Sequence, residues 1–453
     1  MNFFFVAGFD FGTSYSKVVI RDQLSGVAKA VTFGPSYGGL FPSFVRMENN
    51  GVFGPETPAN GTLVSYPKLL AADAATGKNT FNSLRTGQLQ SLESIVTHDE
   101  FKNFAMRILT RYFLSVLDSI HQFILNDPEW KVFDVTEDPL VVQLAVPSGM
   151  MSHHENKVEK MMQEALAAAT LLRDNSRTNT RSSSTTELST GLSQLQALNE
   201  NDRKTLDGRC ITYPEVAAGV QTILRSRNTP DGKYITLDVG AGTIDLNAFQ
   251  RRSQTEKNDI GNVGLNYWAC QVKPLGFARI KLPLDRSRQS DHETVVNPLP
   301  EEEVMRGMNE AISKLMDTAF RYQPYESDGD GPSPWYNESY AYIWGGGSEY
   351  SSYSDRFLSS LEDLNIGIHM INKLETPLED FNTPGGIPFG RLAVAYGLSF
   401  HQTNLETVRL PNELQTYKAI YGSTRSSISN SYRDCPCKGN PSCYRCHGSG
   451  ILK

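Results

Sequence analysis

The chain has 453 residues, enough for several domains or one large protein of two halves, with 39% hydrophobic and 21% charged residues, an ordinary globular composition. A formal charge of −7 argues against a general polyanion binder, so no nucleic-acid partner is expected. No stretch approaches the ~20 apolar residues of a membrane span. The opening MNFFFVAGFDFG lacks a basic leader and reads as a first strand, so a cytoplasmic protein without a membrane partner is expected.

In chain order, strands are predicted over 3–9, 17–21, 28–33 and 43–47, separated by Gly/Pro turns. Apolar residues at three-to-four spacing predict a helix over 101–124. Residues 140–146 read as a buried strand closing at Pro147-Ser148-Gly149, and 156–172 as a helix. The text of 173–204, RDNSRTNTRSSSTTELSTGLSQLQALNENDRK, is rich in Ser, Thr, Asn and Arg and is expected to be a mobile, disordered surface insertion. A helix begins near Pro214, and 234–238 with 243–250 form a hairpin. The helix predicted over 300–320 opens with Glu301, Glu302 and Glu303, a favourable placement for the macrodipole. A strand at 340–344 and helices at 355–364 and 389–400 follow, and beyond about Gln402 the text turns polar.

Two stretches carry chemistry. GFDFGTSYSKVVIRD puts Asp10 at the tip of a strand, with Gly12, Thr13 and Ser14 in the turn. YITLDVGAGTIDLNAF repeats the plan with Asp238, then Gly240, Ala241, Gly242 and Thr243, and Asp245 on the return strand. Small residues free backbone N–H groups to make a nest for phosphate oxygens. A carboxylate beside phosphate needs a divalent cation between them. Mg²⁺ keeps most of its waters, so Asp10 and Asp238 fit as water-mediated holders. One Asp-x-Gly turn is commonplace; two on the same plan point to a clamp on a nucleotide.

The pair resembles the phosphate-binding loops of the actin / heat-shock chaperone / sugar kinase ATPase superfamily, and further motifs follow in that order. LAVPSGM (144–150), YPEVAAGV (213–220), YIWGGGSEY (342–350) and FGRLAVAYGLSF (389–400) resemble its later motifs, while FPSFV (41–45) and SYPKLLAAD (65–73) are similar to the DnaK-type heat-shock branch. The resemblance implies an α/β, two-lobed actin-like ATPase fold, that is, duplicated ribonuclease-H-like domains around a nucleotide cleft. Its lobes would be 1–213 and 214–401, with a linker and tail at 402–453. It implies ATP and Mg²⁺ as cofactors and phosphoryl transfer to water. Thr13, Ser14, Gly240, Gly242 and Thr243 would cradle the phosphates, and Lys68 would offset developing charge. Glu215 and Asp238 would orient water and magnesium, over a polar floor completed by Asp10 and Asp245. Gly345, Gly346, Gly347 and Ser348 would pack on adenosine. Glu310 and Lys314 match the adenine-side polar pair and equally suit a plain i,i+4 surface ion pair. Two departures stand out: Pro214 precedes Glu215 where the family has Glu then Pro, and Glu349 stands where the chaperones carry a base-stacking arginine.

The tail reads CPCKGNPSCYRCHGSG, and its second half resembles one unit of the DnaJ zinc module. Cys435, Cys437, Cys443 and Cys446 are expected to close a tetrahedral Zn²⁺ knuckle, with His447 a spare ligand and oxidised pairs or free thiols the alternatives. About 50 residues follow the closing helix, too few for the chaperones' peptide-binding sandwich. The expected function is an ATP-hydrolysing, heat-shock-like switch that signals to a protein partner through its tail or lobes. A polymerising actin-like ATPase, a small-molecule kinase and a nucleotide-binding scaffold without turnover are the alternatives.

Overall fold

The computed structural model describes residues 3–34, 39–48, 51–55, 62–77, 97–134, 138–147, 157–175, 182–224, 231–252, 264–280, 298–322, 339–373, 381–382 and 387–411. Met1–Asn412 makes one compact unit. Glu413–Lys453 is a second, which lies outside the described residues together with the four tail cysteines.

The architecture is mixed α/β and its plan is a repeat. The first half opens with β1 (Phe5–Asp10), β2 (Tyr15–Asp22) and β3 (Ala28–Ala30). A small antiparallel sheet of Phe44–Glu48, Gly51–Phe53, Thr62–Ser65 and Ser182–Ser184 stands beside them. Then come α1 (Pro67–Thr76), α2 (His98–Asn126), β4 (Leu140–Val146) and α3 (Lys157–Asn175). After α4 (Thr185–Ala197) and α5 (Glu200–Asp207), β5 (Cys210–Pro214) and α6 (Glu215–Leu224) close this half. The second half begins with β6 (Gly232–Val239), β7 (Ile244–Arg252) and β8 (Gly264–Lys273). It continues through α7 (Glu301–Tyr322), β9 (Ser339–Trp344), α8 (Ser351–Asp363), β10 (Ile368–Lys373) and α9 (Phe389–Leu398).

The two main sheets share one strand order, β5-β4-β1-β2-β3 in the first and β10-β9-β6-β7-β8 in the second. In each, the first three strands pair antiparallel and the fourth and fifth join in parallel. Parallel neighbours need crossover connections, which the helices supply. Even the edges repeat. Each sheet gains a two-residue parallel strand beyond its third member, Phe381–Asn382 on β3 and Val408–Arg409 on β8.

Helices cover both faces of β1, and all six of its residues are buried. Successive residues point to opposite faces. Phe9 meets Phe113 of α2 edge-on at 5.6 Å, while Gly8 meets α9 so closely that a Cβ would stand 2.1 Å from the Ala395 carbonyl oxygen. This explains an apolar run with a glycine in its middle. Among the described residues no helix is long and apolar enough to cross a membrane.

Two expectations are corrected. The segment 173–204 is mainly helix and not a disordered insertion. Arg173 ends within α3 and pairs with Asp118 at 2.8 Å. Ser184 and Glu187 form a capping box that opens α4, and the Asn199 side chain caps α5. Leu188 and Leu195 are buried in the core of the first half. Residues 176–181 lie outside the described residues. The described elements also pair across the expected divisions at 213 and 401. Phe381–Asn382 and α9 lie on the first sheet, and Val408–Arg409, assigned to the tail, completes the second.

Candidate functional site

Two hairpin turns meet across a cleft of about 300 Å³. Asp10 ends β1 and Asp238 stands next to last in β6, so equivalent strands of the two sheets deliver one acid each. The hairpin registers place Lys17 opposite Asp10 and Asp245 opposite Asp238. The first pair is complementary, with Lys17 Nζ donating to Asp10 Oδ2 at 2.9 Å. The second is like-charged, an arrangement that weakens a sheet and therefore marks a functional constraint.

The first turn is tied to a lysine far along the chain. Ser43 Oγ donates to the Gly12 carbonyl at 2.8 Å, the Ser43 amide donates to the Ser14 carbonyl at 2.8 Å, and the Tyr66 amide donates to the Ser43 carbonyl at 3.2 Å. Tyr66 then adopts φ 58° and ψ 54°, a left-handed backbone that a bulky residue rarely takes. Pro67, preset for a first helical position, turns the chain into α1. Lys68 thereby enters the cleft with 3% exposure, and its Nζ donates to Glu215 Oε2 at 2.7 Å. Glu215 is the first residue of α6.

The second turn is laced from below. The amides of Gly276, Phe277 and Ala278 donate to the carbonyls of Gly242, Gly240 and Ala241 at 3.2, 3.0 and 2.8 Å. Gly345 passes against Asp238 at φ 88°, where a Cβ would stand 2.3 Å from Asp238 Oδ1. Only glycine suits that place.

Burial and crowding set the charges. Burial pushes the Asp238 carboxyl up to about 7, with Glu215 and Asp10 adding repulsion against the pull of Lys17 and Lys68. Asp245 is held well above its ordinary range by burial and by the charge of Glu215. Burial also raises Glu215, despite its pairing with Lys68. Burial opposes the charge of Lys68, but Glu215, Asp10 and Asp245 outweigh it and raise its pKa. Among the described residues lining the cleft, Asp10, Glu215, Asp238, Asp245 and Glu349 stand with Lys17, Lys68 and Arg391. A divalent cation bound here would favour the ionised form of these raised carboxyls. Asp10 Oδ1, Ser14 Oγ and Asp245 Oδ1 are buried without a protein partner. Among the described residues no three His, Cys, Asp or Glu side chains converge as a direct ligand set. The donor set suits a cation that keeps its waters, as Mg²⁺ does.

Of the sequence-predicted residues, Asp10, Gly12, Thr13, Ser14, Lys68, Glu215, Asp238, Gly240, Ala241, Thr243, Asp245, Gly345, Gly346 and Gly347 line this one cleft. Gly242 sits behind the turn and accepts from the Gly276 amide. Ser348 is buried and donates to the Gly345 carbonyl at 2.7 Å, outside the lining. Glu310 and Lys314 do not reach the cleft. They stand exposed on α7, whose Met308, Ile312 and Leu315 face the core. Lys17, Phe277, Trp344 and Arg391 line the cleft without having been singled out in the sequence. Lys17 was recoverable from the hairpin register; nothing local signals Arg391. Cys435, Cys437, Cys443, Cys446 and His447 lie outside the described residues. Compared with known proteins, the chain matches no family model and no curated protein.

Proposed function

We propose that this protein binds ATP with Mg²⁺ between two lobes of the actin / heat-shock chaperone / sugar kinase type and hydrolyses it slowly, as a nucleotide-dependent switch. One observation carries the reading: equivalent strands of two sheets with the same order bring Asp10 and Asp238, each beside a glycine-containing turn, to a single cleft that also holds Lys68 and Glu215. Backbone amides of Thr13, Ser14 and Ala241 would cradle phosphate oxygens, and Lys17 adds a second cation at that end. Asp10 and Asp238 would hold Mg²⁺ through its waters, and the ion would supply charge neutralisation at the phosphates. Glu215, raised by burial, would accept a proton from or orient the attacking water, while Lys68 stabilises charge that develops in the transition state. Cys435, Cys437, Cys443 and Cys446 would hold about one zinc in a partner-docking tail, which elemental analysis would test.

A nucleotide-binding scaffold without turnover is the second reading, favoured by the engagement of Lys68 Nζ with Glu215 Oε2 at 2.7 Å. A phosphate-release assay on three proteins separates them. The wild type should release phosphate only with a divalent cation. Lys68→Ala should lose at least about a hundredfold in rate, and about 3–5 kcal/mol of stability because Glu215 is left buried and unpaired. Lys68→Met with Glu215→Gln should regain stability but not turnover, and should still bind ADP. Tight ADP binding by a wild type that releases no phosphate would favour the scaffold.

A further inference from the structure

Against the first phosphate-type turn, outside the cleft lining, three hydroxyls meet in the core: Ser16 of β2, Ser43, and Tyr112 of α2. Each residue is fully buried. Tyr112 Oη donates to Ser16 Oγ at 2.8 Å, and Ser16 Oγ lies 3.4 Å from Ser43 Oγ. The third side of the triangle, Ser43 Oγ to Tyr112 Oη, is 3.2 Å. Ser43 Oγ also donates to the Gly12 carbonyl at 2.8 Å. The Tyr112 ring packs on Phe11 at 5.3 Å and meets Phe41 edge-on at 5.5 Å. It is wedged between the residue before Gly12 and the strand that leads to Ser43.

The available protons give the triangle a direction. Each hydroxyl has one proton to donate, and a carbonyl oxygen can only accept. The Ser43 proton therefore goes to Gly12 and the Tyr112 proton to Ser16, which leaves the Ser16 proton for Ser43. The chain runs from Tyr112 through Ser16 and Ser43 and ends on the backbone of the turn. Among Phe11, Phe41 and Phe113 a phenylalanine would fill nearly the same volume as Tyr112, and a buried hydroxyl is costly unless bonded. Here the hydroxyl holds the two serines. Ser43 is the junction. Its amide donates to the Ser14 carbonyl and its carbonyl accepts from the Tyr66 amide, next to Pro67 and Lys68, while its side chain reaches Gly12. Ser43→Ala thus keeps the backbone link toward Lys68 and releases one carbonyl of the turn.

We propose that Ser43 and Tyr112 are positioning residues for the phosphoryl transfer: their hydroxyl chain holds the Gly12 carbonyl, and with it the amides of Thr13 and Ser14, at a fixed distance from Lys68. This rests on the hydrolytic reading above and adds to it two residues that lie outside the cleft lining. Misplacement by about 1 Å can cost on the order of a hundredfold in rate. A turn with some play still closes on a ground-state diphosphate, so the chain acts on turnover and not on affinity.

Phosphate release with Mg²⁺, ADP calorimetry and amide hydrogen exchange on the full chain test it. Ser43→Ala should lower kcat by at least about tenfold and change KM and ADP affinity by less than about threefold. Tyr112→Phe, which removes the hydroxyl and keeps the ring, should lower kcat severalfold. The double variant should match Ser43→Ala within about twofold, because Tyr112 acts through Ser43. Amides of Thr13 and Ser14 should exchange faster in both single variants, while those of Gly240 and Ala241 stay as in the wild type. Ser65→Ala is the control, since its hydroxyl is equally buried in the same half but has no protein partner; its turnover should equal that of the wild type. Wild-type kcat in Ser43→Ala overturns the proposal, as does a loss confined to KM, multiplying effects in the double variant, or unchanged exchange in the first turn. An equal loss in Ser65→Ala overturns it too, because any buried hydroxyl would then serve. A wild type that binds ADP but releases no phosphate overturns this inference and leaves nucleotide binding standing. A wild type that does not bind ADP overturns both.

Discussion

Asp238 is buried beside Glu215 and Asp10, and that placement has a pH signature. The Asp238 carboxyl titrates near 7 because it is buried and because Glu215 and Asp10 repel its charge, with Lys17 and Lys68 only partly offsetting them. In the unfolded chain the same group titrates near 4. Between those values the native state holds a proton that the unfolded state has released, so stability falls as pH rises from about 4 to about 7 and this group adds no slope above that. Asp238→Asn should therefore raise the melting temperature of the ligand-free protein at pH 8, by on the order of 2 kcal/mol in stability, and flatten its decline across that window. Mg²⁺-dependent nucleotide affinity should increase through pH 7 in the wild type and be lost in the variant. Parallel melting profiles for the two proteins between pH 4 and 8 would contradict this account of Asp238.

Elements were legible where periodicity spoke without interference. The strand at 140–146 reads from its apolar run and is Leu140–Val146, and the two hairpins read from their repeated Asp-x-Gly turns. The misreading of 173–204 has a definite cause. Ser and Thr content suggested a solvated insertion, but in α4 these residues cap the helix or face outward, while Leu188, Leu192 and Leu195 keep a helical spacing toward the core. The signal was Ser184 followed three residues later by Glu187. Much of the cleft was legible because backbone turns have sequence signatures. Arg391 was not, since its position over Gly346 depends on where α9 packs, which no local pattern encodes. Leu188→Ala should cost about 2–4 kcal/mol in denaturant unfolding. Limited proteolysis of the wild type should spare 185–207. A cost below about 0.5 kcal/mol, typical of surface positions, would mean that α4 does not contribute to the core.

At the scale of the whole molecule, the repeat matters because its closing helices pack on each other. α6 ends the first half and α9 the second, and they meet so closely that a Cβ on Gly397 would stand 1.8 Å from the Ala218 carbonyl oxygen. Thr222 Oγ1 donates to the Ala393 carbonyl at 2.9 Å across the same contact. Each helix also carries a cleft residue near its start, Glu215 on α6 and Arg391 on α9. Moving one helix against the other therefore displaces a group lining the cleft. Gly397 itself does not line the cleft. Gly397→Ala must push backbone from backbone, with no flexible side chain to yield, and is expected to cost about 3 kcal/mol or more. It should also weaken ADP binding severalfold although no cleft atom is changed. Gly208→Ala is the control, because its added Cβ would meet only ordinary contacts, the nearest at 3.4 Å. Calorimetric unfolding and ADP titration of both variants decide the matter. If Gly397→Ala loses stability but binds ADP like the wild type, the helix crossing serves packing alone.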